Sequence, residues 1–308
     1  MKKILVATTT YSKYSPEPLN LLNSRDFLVD KNDKGRKLTD DEIFTLVSHY
    51  DGIIAGTESY DERILNQAKQ LKVISRLGTG NDNINLKVAN QLGIAIVNTK
   101  TSPALGVAEL AFGLIFDLYR NIRYHNENLR NGIWEKRMGS LISGKTLGIV
   151  GLGSIGRELV KITHGFGLKY LVNDIIKNPI IDKSSNLKYC TFKDVFTKSD
   201  IVSIHTNLTE ENRNLVDYEI LKMMKPSSIL INTSRGEIIN EKDLIKALEK
   251  NLIAGAGLDV FSTEPYRGKL LGFNNVVATP HIAGYTKETR SKMELEAAKN
   301  LIKELEVK

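Results

Sequence analysis

Cysteine is almost missing from this chain: Cys190 stands alone in 308 residues, so no intramolecular disulfide can form and the fold must rest on packing and hydrogen bonding. Cysteine and histidine are nowhere clustered at metal-ligand spacing, and no bound metal is expected. No apolar run approaches the roughly 20 residues that cross a bilayer, so no membrane partner is expected either. The start, Met1-Lys2-Lys3 before Ile4-Leu5-Val6-Ala7, imitates a signal peptide, but its apolar part stops at Thr8-Thr9-Thr10 and reads better as a first strand. A cytoplasmic location is the expectation. Basic residues outnumber acidic ones, 43 to 36, for a net charge of +7. Yet the lysines are interleaved with acids, as in Glu241 to Lys250 and Lys287 to Lys303, and no basic block marks a nucleic-acid surface. A modest positive field suits small anionic ligands instead.

What the chain does have is length for two ordinary domains, with 41% hydrophobic residues to fill their cores. Its most informative feature is a glycine-rich turn, Gly151-Leu152-Gly153-Ser154-Ile155-Gly156, in mid-chain. The turn follows the apolar run Leu147 to Val150 and opens a helical stretch from Gly156 to His164. In that context the first glycine permits a tight turn, the second lets backbone approach a pyrophosphate, and the third lets helix and strand pack closely. A second strand, Lys169 to Asn173, ends in Asp174, placed to accept hydrogen bonds from the adenosine ribose. An acid there repels a 2′-phosphate, which favours NAD over NADP, although Lys177 nearby leaves room for NADP.

Short β-branched runs alternate with helical stretches throughout, the pattern of parallel sheets. Before the fingerprint, strands are predicted at Lys3 to Ala7, Gly52 to Ala55, Lys72 to Ser75 and Ile94 to Asn98. From Thr146 onward they are predicted at Thr146 to Val150, Lys169 to Asn173, Ile201 to His205, Ser228 to Asn232, Gly255 to Val260 and Val276 to Thr279. The expected architecture is α/β: a doubly wound parallel-sheet (Rossmann) nucleotide-binding domain over 101–284, plus a smaller flavodoxin-like α/β substrate domain over 1–100 and 285–308. Between the two strand sets one long helical stretch, Ser102 to Arg130, is apolar on more than one face. It serves either as the interface of a homodimer or as a helix buried within one chain.

Polar residues just past the carboxyl ends of strands line the ligand crevice of a doubly wound sheet. Three stand out: Arg235, Glu264 and His281. Moving a hydride to or from a carbon that bears oxygen requires a proton to move as well, and histidine titrates in the right range. A carboxylate beside the ring would orient it, and an arginine offers a fork of donors to a carboxylate and a carbonyl. The trio matches oxidation of a 2-hydroxy acid or reduction of a 2-oxo acid. Of the other histidines, His49, His125 and His164 read as structural, whereas His205 at a strand end suits either a cofactor contact or a structural role.

The segments VISRLGTGNDNI, VAELAFGLI, GKTLGIVGLGSIGRE, LKMMKPSSILINTSRGEIIN, AGAGLDVFSTEP and TPHIAGYT carry a resemblance. Over nearly its whole length the chain resembles the D-isomer-specific 2-hydroxy acid dehydrogenase family, within it the phosphoglycerate-dehydrogenase-like branch. The resemblance implies that Arg235 binds the substrate carboxylate and carbonyl, that His281 is the general acid/base, and that Glu264 supports it. It implies that backbone N–H groups around Leu77, Gly78, Thr79 and Gly80 hold the substrate carboxylate, and that Asp259 meets the nicotinamide carboxamide. Gly151, Gly153, Ser154, Ile155, Gly156, Asp174, His205, Thr233, Asp259 and Gly284 make up the expected NAD site. Asn207 replaces a usual proline, and Lys100 to Pro103 replaces the usual turn. Lys13 and Arg76 either meet the distal phosphate of a substrate or are, respectively, solvated and structural. Trp134 either reaches a neighbouring subunit or packs in its own chain. The expected substrate is a small anionic acid, D-3-phosphoglycerate or 3-phosphohydroxypyruvate, with hydroxypyruvate or glyoxylate as alternatives and an NAD(H)-sensing interaction protein as the reading from another class.

Overall fold

A computed structural model of the chain describes residues 1–78, 80–101, 103–177 and 186–307. They form two compact units: one takes the residues up to 101 together with those from Tyr285 onward, the other Pro103–Gly284. Among the described residues no helix is long and apolar enough to cross a membrane.

The first unit runs β1 (Lys3–Val6), α1 (Glu17–Asn23), β2 (Leu28–Lys31), α2 (Asp40–Leu46), β3 (Gly52–Ala55), α3 (Glu62–Gln67), β4 (Val73–Arg76), α4 (Leu86–Gln91) and β5 (Ala95–Asn98). The strands pair in the order β2-β1-β3-β4-β5, parallel throughout, which is the flavodoxin-like arrangement. Parallel sheets are covered on both faces, so their inner strands are apolar without alternation; β3 and β4 are buried at every position. One face packs on Ile43, Ile64 and Val88 of α2, α3 and α4. The other is covered by the chain's last helix, which places Met293, Ala297, Leu301 and Leu305 against Ile4, Val6 and Ile54. Each such leucine contributes about 2 kcal/mol by leaving water. The helices begin where side chains accept their first N–H groups: Thr39 and Glu42 form a reciprocal capping box on α2, and Asp61 and Asn85 cap α3 and α4.

The second unit runs α5 (Ala104–Arg120), α6 (Ile122–Arg130), β6 (Thr146–Val150), α7 (Ser154–Thr163), β7 (Lys169–Asn173), β8 (Leu187–Tyr189), α8 (Phe192–Lys198), β9 (Ile201–Ile204), α9 (Tyr218–Met223), β10 (Ile229–Asn232), α10 (Glu241–Glu249), β11 (Gly255–Leu258) and β12 (Val276–Ala278). Its sheet has the order β12-β11-β10-β9-β6-β7-β8. Counted within the unit this is the doubly wound 3-2-1-4-5-6 order with one further strand, and its reversal point lies between β6 and β9. Helix α5 lies on one face of this sheet, burying Ala108, Ala111, Leu114 and Ile115 beside Leu147, Ile149 and Ile231. The last helix, α11 (Lys287–Val307), belongs to the first unit.

Three elements differ from expectation. The stretch from 102 to 130 is two helices, because Asn121 adopts φ 51°: its N–H closes α5 on the Asp117 carbonyl, and the Asp117 carboxylate accepts the Arg123 N–H at 2.7 Å to start α6. Asparagine tolerates this left-handed turn better than most residues. Strands β2 and β8, absent from the sequence reading, are both sheet edges. With only one side paired and little buried, Leu28–Lys31 and Leu187–Tyr189 have no apolar run to betray them.

Candidate active site

The glycine turn is built as its spacing requires. Gly151 leaves β6 at φ 92°, and a Cβ on it would lie 2.7 Å from the His205 carbonyl oxygen, so only glycine lets β6 turn beside β9. At Gly156 a Cβ would fall 2.5 Å from the Gly151 carbonyl oxygen, which is the close packing of helix on strand. Gly153 faces open space, with no atom within 4 Å of where its Cβ would be. Side chains of Thr191, Asp217 and Asn240 cap α8, α9 and α10, whereas α7 starts at Gly153 with no side-chain cap. Exposed Ser154 and half-buried Ile155 form its first turn. A helix N-terminus without a capping side chain, entered by a glycine with room beside it, is suited to a phosphate.

Asp174 follows β7 and leans back on this loop: Oδ2 accepts the Leu152 N–H at 2.5 Å and Oδ1 the Ile176 N–H at 2.7 Å. Each oxygen keeps a further lone pair for ribose hydroxyls. Past it, Ile175 and Ile176 stand 99% and 73% exposed, an apolar step the sequence reading overlooked. On β10, two strands from β6, buried Thr233 follows with a hydroxyl that has no partner among the described residues. An open glycine, an uncapped helix, a carboxylate and an orphaned hydroxyl on one sheet end fit a dinucleotide.

Two of the expected cofactor residues bond within the chain. His205 is buried and turns Nε2 onto the Ser203 hydroxyl at 2.8 Å; burial pushes its pKa down to about 4, so the ring is neutral and inside the sheet. What it offers the glycine turn is its main chain. Asp259 is 0% exposed. Its Oδ1 accepts from the Thr279 hydroxyl at 2.6 Å and the Ile282 N–H at 2.8 Å, and its Oδ2 from the Ala283 N–H at 2.8 Å. Burial raises its pKa, against the pull of those bonds and of His281, and Oδ2 keeps a lone pair beyond the Ala283 N–H. Gly284, next along, is half-buried, its would-be Cβ 3.4 Å from Pro103.

The expected trio splits into a pair in contact and a third residue on an adjoining turn. His281 follows β12 and Glu264 follows β11, and His281 Nδ1 lies 2.8 Å from Glu264 Oε2. The other carboxylate oxygen, Oε1, accepts the Phe261 N–H at 3.2 Å, which fixes the loop that carries it. Both side chains are about one-third exposed, so the pair is open to a ligand. Arg235 follows β10 on a turn knitted by fully buried Asn232, whose Nδ2 donates to the Arg235 carbonyl at 2.9 Å and whose Oδ1 accepts from Ser234 N–H and hydroxyl. The Arg235 guanidinium is half-buried and donates to the Ser234 carbonyl at 2.8 Å. At Gly236 a Cβ would lie 2.0 Å from the Phe261 carbonyl carbon, so the turn carrying Arg235 is pressed directly against the loop carrying Glu264.

In the first unit the expected substrate contacts are largely spent on the fold. The Leu77 N–H bonds the Ala55 carbonyl at 2.8 Å and the Gly78 N–H the Thr99 hydroxyl at 3.1 Å, so neither is offered to a carboxylate. Arg76 is buried, with its guanidinium donating to the Leu77 carbonyl and folded against Gly78. Thr79 lies outside the described residues. Lys13 is exposed, its ammonium 5.8 Å from the Tyr14 ring, and the Lys287 ammonium stands 5.8 Å from the same ring. Lys287 was not a sequence candidate, because it lies 274 positions further along the chain than Lys13.

A doubly wound sheet with a phosphate-ready glycine turn, and a His–carboxylate pair past the last strands, defines a nicotinamide-dependent oxidoreductase. The model of the D-isomer specific 2-hydroxyacid dehydrogenase NAD-binding domain matches residues 112–283. Over 80% of its own length and 77% of the other, the chain is 40% identical to a glyoxylate reductase of Thermococcus litoralis. It is 37% identical to a hydroxypyruvate reductase of Thermotoga maritima over 87% of this chain and 89% of that one. Among solved structures, the TT0316 protein of Thermus thermophilus superposes with a TM-score of 0.89 at 30% identity, covering 99% and 97% of the two chains. The chain belongs to the D-isomer-specific 2-hydroxyacid dehydrogenase family, and its cofactor is NAD.

Proposed function

We propose that the chain reduces the carbonyl of a short 2-oxo acid, glyoxylate or hydroxypyruvate, to the corresponding 2-hydroxy acid, with the first unit as its substrate domain. The observation that carries this reading is the 2.8 Å contact between His281 Nδ1 and Glu264 Oε2. Glu264 holds the Nδ1 proton and leaves Nε2 to face the substrate. Held along the Gly151–Gly156 turn and at Asp174, NADH would supply the hydride that C2 takes up. Protonated His281 gives its Nε2 proton to the carbonyl oxygen as negative charge builds there, and Glu264 stabilises the imidazolium before transfer. Arg235 grips the carboxylate and polarises the carbonyl through its fork of donors. In the reverse direction neutral His281 takes the hydroxyl proton.

Glyoxylate and hydroxypyruvate are the substrates named for the two curated relatives, and the inward turn of Arg76 removes one cation from the support for a distal phosphate. One observation favours a second reading, 3-phosphohydroxypyruvate: the ammonium groups of Lys13 and Lys287 flank one tyrosine ring. A panel of 2-oxo acids assayed with NADH separates the two. The first reading expects kcat/KM for glyoxylate or hydroxypyruvate at least tenfold above that for 3-phosphohydroxypyruvate, and a Lys13→Ala change that leaves the order intact. A phosphorylated substrate ranked first, with its KM raised selectively by Lys13→Ala, overturns it. His281→Ala should bind NADH normally and lose about 10²-fold or more in kcat; near-normal turnover sinks the mechanism.

A further inference from the structure

The sheet of the first unit reverses its strand order between β1 and β3, and ligands of such sheets gather past the carboxyl ends beside that point. The turn that leaves β1 there is held from α11. Fully buried Glu294 accepts the N–H of Ser12 on Oε2 at 2.9 Å, and Ser12 is left-handed, φ 57°, a conformation that surroundings must impose on a serine. Its other oxygen, Oε1, accepts from Arg290 Nε at 2.8 Å. One carboxylate thus sets the β1 turn and a guanidinium side by side.

The Arg290 side chain is only 10% exposed. Its guanidinium carbon lies 5.0 Å from the Tyr285 ring, and the Tyr285 hydroxyl lies 3.1 Å from that of Thr10 on the β1 turn. Neither terminal nitrogen of Arg290 has a hydrogen-bond partner among the described residues, and neither is sealed from solvent. Donors left unpaired on a mostly buried cation are costly. These two form the fork that fits a carboxylate or a phosphate. More positive charge stands close by: Lys287 is one turn earlier on the same face of α11, and it shares the Tyr14 ring with Lys13. Both α11 cations sit at its N-terminus, the helix end that disfavours cations and favours anions. Among the described residues Glu294 is the one acid in ion-pair contact with any of the three.

We propose that Arg290, aided by the charges of Lys287 and Lys13, forms a second anion site, built wholly within the first unit, that takes a compact oxyanion on its two terminal nitrogens. The oxyanion, a phosphate or a carboxylate group, is either a free ion or the far end of a longer substrate. Neither glyoxylate nor hydroxypyruvate carries a second anion, so the site adds to the proposed activity and does not rest on it.

Inorganic phosphate is the probe, titrated calorimetrically into enzyme saturated with NADH and oxamate so that the glycine turn and Arg235 are occupied. The unaltered enzyme is compared with Lys287→Ala and with a double variant, Arg290→Met with Glu294→Gln, which leaves no buried carboxylate unpaired. Circular dichroism reports whether each is folded. A charge-assisted hydrogen bond at a buried fork contributes about tenfold or more in affinity, and an exposed charge up to about fivefold. Phosphate should therefore bind at least about tenfold more weakly to the double variant and about three- to fivefold more weakly to Lys287→Ala. Equal affinity in the unaltered enzyme and the double variant overturns the proposal. KM values for 3-phosphohydroxypyruvate and glyoxylate then identify the source of the oxyanion. If it is a substrate's far end, the double variant raises the first KM at least about tenfold more than the second; if it is a free ion, phosphate binding weakens and the ratio of the two stays fixed. No phosphate binding to the unaltered enzyme together with a fixed ratio rejects the site. If the double variant does not fold, Lys287→Ala decides: an unchanged phosphate affinity and an unchanged ratio reject the site, and a change in either supports it.

Discussion

His205 sits neutral and buried just past β9, and its pH dependence follows from that. Burial holds its pKa at about 4, while in the unfolded chain it takes a proton near pH 6.5. Between those values the unfolded state binds more protons, so stability falls as pH is lowered through 6.5 and the loss is nearly complete by about 4. The difference amounts to roughly 3 kcal/mol. Urea unfolding at pH 7, 5.5 and 4 should show this decline in the unaltered chain and a shallower one in His205→Asn, which can keep the contact to Ser203. Parallel declines would mean that the ring is charged or solvated in the folded state. His205 and Asp259 also mark what single residues did not disclose in sequence. Both stand at strand ends where ligands bind, and only coordinates reveal that their polar atoms bond within the chain. A hint existed for Asp259, since an acid between Leu258 and Val260 in an apolar strand is rarely buried without internal partners. Arg235, Glu264 and His281 were legible because each closes a recognisable strand, and the fold brings the last two into contact.

At the scale of elements, glycines separate two kinds of constraint that one sequence pattern conceals. Gly236 is pressed on backbone, 2.0 Å from the Phe261 carbonyl carbon to its would-be Cβ. Gly236→Ala must therefore push the Arg235 turn away from the Glu264 loop, and overpacking of this kind costs about 1–3 kcal/mol. With about 2–4 °C per kcal/mol for a domain of this size, a calorimetric scan should show a midpoint several degrees lower, accompanied by a fall in kcat/KM of at least about tenfold. Gly153 has nothing within 4 Å of its would-be Cβ and lacks a positive φ. Gly153→Ala should melt like the unaltered chain yet bind NADH about tenfold more weakly, because the methyl group occupies the space left for the pyrophosphate. A lowered midpoint there, or unchanged affinity, would show that the open space is not the phosphate site. Element recognition followed the same logic of burial. Predicted inner strands agree with the structure to within two residues at each end, since burial on both faces writes a continuous apolar run. Edge strands β2 and β8 carry no such record, and the break at Asn121 depends on a backbone conformation that many asparagines never adopt.

For the whole molecule, the open question is what covers the segment between α6 and β6. Ile133, Trp134, Met138 and Leu141 are 47%, 82%, 94% and 74% exposed along it, so Trp134 packs on little of its own chain among the described residues. Large side chains exposed together along one segment mark an interaction surface rather than the scattered apolar residues of an ordinary one. We propose that a second copy covers them, as the expectation of a homodimer requires. Helix α5, the element first suspected of forming that interface, is largely committed to its own sheet and leaves Leu105 as its one large exposed apolar side chain. The proposed interface is thus the segment after α6. Sedimentation equilibrium should give twice the 34.4 kDa chain mass. Replacing Trp134 and Leu141 together by serine should weaken association by about two orders of magnitude, since each loses roughly 1.5–3 kcal/mol of burial at the contact. Because neither residue contributes to the core of its own chain, the thermal midpoint of the isolated monomer should be unaffected by the changes. A mass of 34.4 kDa for the unaltered protein across the micromolar range, or an undiminished dimer after both substitutions, would remove this segment as the interface.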